Sequence, residues 1–285
     1  MEQSIEAKYT LTDEGFKELR DIIYKTSGIY YSESKKYLLE SRILKRIQSL
    51  KLNSLYDYVN FIKNPANKGE LKNLFDAITI NETYFFRAEQ QFDALEKIII
   101  PELIRNKSPQ MNPVVIRIWS AACSTGEEPY TIAMIITEKV KPIYPNVQFQ
   151  ILGSDISSQV LEVAQSGIYK EYSVRNMPEV YLKKYFVSKD GLYYLKDEIK
   201  KLVRFSNINL FDASQMKLVS NCDVIFCANV LIYFDIPAKQ KVVSYLFDAL
   251  NPGGYLFIGY SESLHGISKA FKLVHLPKAI AYKKE

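Results

Sequence analysis

The chain is poor in the side chains that most often build metal or redox centres: its 285 residues include three cysteines and two histidines. Cys123, Cys222 and Cys227 fall in or near expected strands and lack the spacing of a zinc ligand set, and His265 and His275 are too few for a His-rich metal site. No metal is therefore expected, and the thiols read as free, buried and kept in a reducing compartment. A dominant charge is missing as well. Lys and Arg total 37 against 32 Asp and Glu, a net charge of +5, short of what a dedicated nucleic-acid binder usually carries. No apolar run approaches the roughly 18–20 residues that span a bilayer. Met1 to Lys8 carries charge and no apolar core, so neither a signal peptide nor membrane insertion is expected; the cytoplasm is the expected location and a monomer the default state. Internal repeats and low-complexity segments are also lacking. What remains is an ordinary globular composition, 47% hydrophobic and 24% charged, long enough for one large or two modest domains.

Helical periodicity alone covers residues 12 to about 80. One helix is expected over Glu14–Thr26, with Phe16, Leu19, Ile22 and Ile23 on one face and Ser27-Gly28 as its stop. A second covers Ser34–Leu50, where Leu39, Ile43, Ile47 and Leu50 keep helical spacing. A third begins at Ser54, with Asp57 placed as in a capping box, and ends near Asn64-Pro65. A fourth runs from Lys68 to about Ile80. Glu89–Arg105 reads as a linking helix, followed by a loop bracketed by Pro109 and Pro113. From Val114 onward strands and helices alternate. Strands are expected at Val114–Trp119, Val147–Gly153, Val203–Asn209, Asp223–Ala228 and Tyr255–Tyr260, with one more inside Phe271–Tyr282. Helices are expected at Tyr130–Val140, Ser157–Gln165 and Ala238–Leu250. That alternation predicts a mostly parallel sheet covered by helices on both faces. Residues 168–200, rich in tyrosine and lysine, break it; Asp190-Gly191 between two short apolar runs predicts a β-hairpin in an insertion.

The most informative stretch is Ile118–Thr131. A strand runs into a turn of small residues with one glycine, Gly126, and a helix leaves it, as in the first unit of a nucleotide-type α/β domain. Small side chains allow close backbone approach, and a helix N-terminus offers free N–H groups. Glu127 and Glu128 sit where a phosphate would want positive charge. They suit a ligand with hydroxyls or a cationic centre, and S-adenosylmethionine has both a ribose and a sulfonium. Glu127 is equally placed to favour the helix dipole as a first-turn acid; the small-residue turn before it shifts the reading to a ligand contact. Asp155, at the end of the second strand, suits ribose hydroxyls, or alternatively caps the helix that begins at Ser157.

Asn81–Arg87, dense in polar and aromatic groups, reads as a packed linker or as a lid that donates Asn81, Thr83 and Arg87 to a site at the sheet's carboxyl edge. Asn229–Phe234 follows a strand at that edge; Asn229 there is a turn residue or a ligand contact, and Tyr233 a core aromatic or a site residue. The second helix is basic. Six Lys or Arg lie within residues 33–52 against Glu33 and Glu40, and Arg42, Lys45 and Arg46 share one side. That side is a solvated face, or one that docks an acidic partner or nucleic acid.

Together these pieces resemble the chemotaxis receptor methyltransferase (CheR) family over nearly the whole chain. Asn81–Arg87, Trp119–Tyr130, Ser154-Asp155-Ile156, Ser166-Gly167-Ile168-Tyr169, Asn209-Leu210 and Asn229–Phe234 match its motifs in its order. The resemblance implies an α/β architecture: a Rossmann-like S-adenosylmethionine-dependent methyltransferase domain over residues 114–285 with a small β-subdomain inserted at about 168–200. An all-helical N-terminal domain (1–88) and a linker helix and loop (89–113) precede it. It implies methyl transfer to glutamate side chains of chemoreceptor cytoplasmic domains, in chemotaxis signal transduction. Asn81, Thr83, Arg87, Glu127, Asp155, Asn209, Leu210, Ala228 and Asn229 would hold S-adenosylmethionine and its product S-adenosylhomocysteine. Arg87 and Tyr233 would stand at the reacting centre. Arg42, Lys45 and Arg46 would dock the receptor, with no nucleic acid. One position departs: the family carries Arg in a Cys-Arg-Asn run where this chain has Cys227-Ala228-Asn229. That departure motivates a non-catalytic S-adenosylmethionine-binding scaffold as an alternative, and the basic helix motivates an RNA methyltransferase. A nucleotide-dependent oxidoreductase is disfavoured by the missing G-x-G-x-x-G.

Overall fold

The computed structural model describes residues 12–108 and 113–285; Met1 to Lys8 and most of the loop expected between Pro109 and Pro113 lie outside them. Local chemistry sets the first helices. Helix α1 (Asp13–Ser27) starts where the Thr12 side chain accepts the Gly15 N–H at 3.0 Å. It stops at Gly28, whose φ of 74° is the left-handed geometry that ends helices, with its N–H on the Tyr24 carbonyl. A 3₁₀ turn, Glu33–Lys35, leads into α2 (Lys36–Ser49). The Ser54 hydroxyl caps α3 (Leu55–Lys63) by accepting the Asp57 N–H at 3.0 Å, and α4 (Glu70–Ile78) follows. Their apolar stripes meet in one cluster around Leu19, Ile23, Leu39, Ile43, Tyr58 and Leu74. The linking helix is α5 (Glu89–Ala94), a π turn at Leu95–Ile99 and α6 (Ile100–Lys107).

The second half alternates. In order come β1 (Val115–Ala121), α7 (Glu127–Ile135), β2 (Gln148–Asp155) and α8 (Ser158–Ser166). The inserted region holds β3 (Ile168–Lys170), α9 (Glu171–Val174), α10 (Glu179–Tyr185), β4 (Phe186–Lys189), β5 (Leu192–Leu195) and α11 (Asp197–Lys200). The chain returns through β6 (Val203–Asn207), α12 (Ala213–Met216), β7 (Cys222–Cys227), α13 (Ile236–Ala249), β8 (Leu250–Ile258), β9 (Phe271–Leu276) and β10 (Ala279–Lys284). The main sheet runs β6-β2-β1-β7-β8-β10-β9. Its first five strands are parallel, and β10 lies antiparallel to both β8 and β9. Alternate residues of each strand enter opposite layers: Ile118 and Phe226 pack with Ile132 on one face, Trp119 and Ile225 with Val242 and Leu246 on the other. Strand order reverses between β1 and β7, the place where such sheets open a crevice at their carboxyl ends.

Three expectations need correction. The Phe271–Tyr282 segment holds a hairpin, not one strand; Lys278, at φ 60°, makes the turn without a glycine. The expected hairpin of the insertion gains a third strand, β3, on β5. The helix after the first turn begins at Glu127, a full turn before Tyr130. Among the described residues no helix is long and apolar enough to cross a membrane.

The helical part docks on the carboxyl edge of the sheet. Ile29 pairs with Phe234, and the Tyr30 N–H donates to the Tyr233 carbonyl at 2.9 Å. The Asn209 amide donates to the Thr26 carbonyl at 2.6 Å, and the Ser124 hydroxyl to the Asn81 carbonyl at 3.0 Å.

Candidate active site

Between the helical part and the carboxyl ends of β1, β2 and β7 lies a cleft of about 310 Å³. Its floor starts at the turn after β1. Ala122 (φ 57°), Ser124 (φ 51°) and Gly126 (φ 90°) take left-handed backbone there. A side chain at Gly126 would come within 2.8 Å of the Ala164 methyl, so the glycine serves both the turn and the packing of α8. The Ser124 N–H, which a phosphate would use, is already on Asp155 Oδ2 at 2.9 Å. The turn is thus not an open anion cradle.

Asp155 ends β2 and lines the cleft, with Oδ1 accepting the Ser157 N–H at 2.9 Å. Ser157, not Asp155, caps α8. Burial pushes the Asp155 carboxyl up against the opposing backbone N–H bonds of Ser157 and Ser124. With the Ile156 N–H acting on it as well, the carboxylate keeps acceptor capacity for one further donor. The two turn glutamates divide. Glu127, expected to contact the ligand, is 1% exposed, hydrogen-bonded by the Thr125 hydroxyl at 2.7 Å, and is not among the residues that line the cleft. Glu128 lines the cleft, accepting from the Ser120 hydroxyl at 2.7 Å. Burial pushes its carboxyl up to about 7, while the Ser120 hydrogen bond and the Arg87 charge pull the other way.

The structure brings Asn81, Thr83, Arg87, Asn209, Leu210, Ala228, Asn229 and Tyr233 to this cleft as well. Arg87 donates to the Glu82 carbonyl at 2.9 Å and stands over the Tyr84 ring. Arg175 is sandwiched between Tyr84 and Tyr172, tying the insertion to this rim. Burial raises the Tyr233 hydroxyl, and the charges of Arg42 and Arg87 lower it; the net shift is upward, so it stays a neutral donor near pH 7. Burial also pushes the Cys123 and Cys227 thiols well up, and Cys222 up to about 12.

The basic helix does not present three equivalent cations. Arg46 makes a paired contact with buried Glu70, 2.8 Å on each oxygen, reinforced by Tyr58 and Asn73. Its guanidinium, expected to dock the receptor, is committed to this pair. Arg42 donates to the Ile78 carbonyl and lines the cleft. Lys45 is exposed and lines a second cavity between α2, α4 and α8.

Sequence reading missed three participants. Lys35 lines the cleft beside Arg42, and Glu82 lines it from the connecting segment. Glu262, four residues past β8, accepts the Asn229 N–H at 2.9 Å and the Gly259 N–H at 2.6 Å, and so holds Asn229 in its left-handed conformation (φ 62°). Its position just beyond a carboxyl strand end was the available signal.

The charges sort by wall. The sheet floor supplies Glu128 and Asp155, the helical wall Lys35 and Arg42, and the connecting segment both Glu82 and Arg87. Carboxylates, amides and apolar Ile156 and Leu210 fit a ligand with ribose hydroxyls, an aromatic base and a cationic centre. No group of His, Cys, Asp and Glu among the described residues could hold a metal ion.

Comparison with known proteins agrees with this geometry. The family model for the CheR methyltransferase all-alpha domain matches residues 14–79, and that for the CheR methyltransferase SAM binding domain matches residues 81–280. "Chemotaxis protein methyltransferase 2" of Vibrio cholerae is 38% identical over 275 residues, 96% of this chain and 94% of its own. The chemotaxis protein methyltransferase of Borreliella burgdorferi is 38% identical over 90% of each chain, and that of Escherichia coli 32% identical over 93% of this chain and 90% of its own. A helical part on a seven-stranded sheet, an acidic-floored cleft at the switch point and these matches over both parts lead to one conclusion: this chain belongs to the CheR family of S-adenosylmethionine-dependent chemotaxis methyltransferases.

Proposed function

We propose that this chain transfers a methyl group from S-adenosylmethionine to glutamate side chains of chemoreceptor cytoplasmic domains, giving glutamyl methyl esters and S-adenosylhomocysteine, as a cytoplasmic monomer. The observation that carries the reading is the charge sorting of the cleft: acids on the sheet floor, cations on the helical wall, and one of each, Glu82 and Arg87, on the connecting segment. The floor suits a cationic cofactor and the wall suits an anionic acceptor.

When bound, the cofactor supplies a methyl group on a sulfonium, which leaves as a neutral thioether. A glutamate acceptor is already ionised at neutral pH (ordinary pKa about 4.3), so no residue of the cleft has to remove a proton. The chain's work is alignment, which contributes roughly 7–11 kcal/mol in favourable systems. Asp155 accepts ribose hydroxyls and Glu128 faces the cationic end. Asn81, Thr83, Asn209, Leu210 and Asn229 complete the cofactor side, with Ala228 leaving one rim position without a side-chain hydrogen bond. Arg87 orients the acceptor carboxylate, and the neutral Tyr233 hydroxyl donates to it. Arg42 and exposed Lys45 guide an acidic receptor surface toward the opening. With Arg46 held by Glu70 and Arg42 turned to the cleft, the helix keeps too few free cations to favour RNA.

The test is incubation with methyl-labelled S-adenosylmethionine and receptor-containing membranes from the same source, followed by mild alkali. Label released in proportion to the protein supports carboxyl methyl esters. Cofactor binding without transfer, beside a known enzyme that labels the same membranes, replaces this reading with the scaffold that Ala228 motivates.

A further inference from the structure

We propose that Asp76, on α4 of the helical part, is a positioning residue for the cofactor: it holds the Asp155–Ser157 loop from across the domain boundary and so sets cofactor affinity without touching the cofactor. The inference rests on the reading of Asp155 as a cofactor contact.

Asp76 does not line the cleft; it lines the neighbouring cavity. One of its oxygens, Oδ1, takes two donors from the start of α8: the Ser157 hydroxyl at 2.7 Å and the Gln159 N–H at 3.3 Å. Ser157 in turn gives its own N–H to Asp155 Oδ1 at 2.9 Å. The loop is fixed on two other sides. The Asn207 amide donates to the Asp155 and Ile156 carbonyls at 2.9 and 2.8 Å, and the Ser124 N–H donates to Asp155 Oδ2. Asp76 is the only one of these anchors that comes from the helical part. A helix N-terminus exposes unsatisfied N–H groups, and an acceptor there is stabilising; here the acceptor belongs to another domain. The Ser157 hydroxyl uses its one proton on Asp76, which leaves its lone pairs to cap Val160 at 3.4 Å.

A competing account makes Asp76 a counter-ion for the cations around it, since Arg42, Lys45, Arg46 and Lys72 line the same cavity. The two accounts part at asparagine. Both donors fall on a single oxygen, so an amide oxygen can accept them with no charge.

The experiment measures S-adenosylhomocysteine binding by titration calorimetry, with KM for S-adenosylmethionine, kcat and thermal unfolding, for wild type, Asp76→Asn, Asp76→Ala and Ser157→Ala. Loss of the acceptor should raise Kd and KM about tenfold in Asp76→Ala, the scale of one lost hydrogen bond, with kcat within about twofold. Asp76→Asn should stay within about twofold of wild type. Combining Asp76→Ala with Ser157→Ala should cost little beyond either alone, as partners in one chain of contacts behave. A folded Asp76→Ala with wild-type affinity overturns the proposal, as does Asp76→Asn binding as weakly as Asp76→Ala. Failure of wild type to bind the cofactor would sink the functional reading instead, and unchanged affinity in Asp155→Ala would remove its ribose role.

Discussion

Glu128 makes cofactor affinity a function of pH in a defined direction. Its carboxyl is pushed up to about 7 by burial, and the opposing pull of Ser120 and Arg87 does not offset that. A cationic ligand favours the ionised form, so binding lowers the pKa and expels a proton wherever the free site is protonated. Affinity therefore approaches its full value well above 7 and falls as pH drops through it. With a free-site value near 7, about three-quarters of sites are ionised at pH 7.5 and about a tenth at pH 6.0, so the dissociation constant should rise about eightfold as pH falls from 7.5 to 6.0. Higher pH is uninformative, because the ligand's own α-amino group deprotonates near 7.7–8.0. Asp155, also raised by burial, acts in the same sense, and Glu128→Gln separates the two. The variant should bind about tenfold or more weakly at pH 7.5, the loss expected for a charge-assisted hydrogen bond, and should lose most of the pH slope. Calorimetry in buffers of different ionisation enthalpy reads the released proton directly. An affinity flat between pH 6.0 and 7.5, or a Glu128→Gln protein that binds like wild type at pH 7.5, refutes the reasoning.

Three further outcomes follow from the geometry. At saturating cofactor, Arg87→Ala should lower methylation without removing a limb of its pH profile, since Arg87 orients the acceptor and transfers no proton; a lost limb in those pH-rate data sinks that role, whereas loss of its charge near Glu128 should move only the cofactor-binding limb upward. Glu262→Ala frees the Asn229 and Gly259 N–H groups and should weaken cofactor binding several-fold with a small change in melting temperature, read by calorimetry and thermal unfolding. Arg46→Ala leaves Glu70 buried without its cation and should cost about 3 kcal/mol in urea unfolding, whereas Lys45→Ala should leave stability unchanged and reduce only the rate with receptor. Burial would raise the Glu70 carboxyl, but the Arg46, Asn73 and Tyr58 hydrogen bonds hold it below its ordinary value. Its stabilising contribution is thus present above about pH 4.5 and is lost as pH falls through the lower folded value.

Features written in adjacent residues were the legible ones. Gly28 as a stop, Ser54 with Asp57 and the Gly126 turn are local chemistry, and the apolar alternation of β1 and β2 states their burial. Long-range partners were not legible. Arg46 shares a helix side with Arg42 and Lys45, yet its role is set by Glu70, 24 positions on. Glu127 and Glu128 differ by about 100° of helix rotation, and only the docked cleft decides which one faces it. The strand Ile168–Lys170 is too short to show alternation, and Pro277-Lys278 lacks the glycine that announces a hairpin. Asp155, Asn209, Ala228 and Asn229 meet in one cleft because they end or follow strands, where a parallel sheet gathers residues far apart in sequence, and Asn81, Thr83 and Arg87 reach it from the connecting segment.

The three thiols make a built-in clock for the molecule's opening. Cys123 lies in the cleft wall, Cys227 at the end of β7 beside it and Cys222 at the start of that strand, all buried. Burial holds each in the unreactive thiol form. A disulfide reagent should therefore modify them only when the chain around them parts. The Cys123 sulfur packs toward Gly153 of β2, so it should react at the rate at which the turn after β1 loosens from β2, and Cys222 at the rate at which the sheet itself comes undone. A ligand seated on that turn would slow the first and leave the second nearly unchanged.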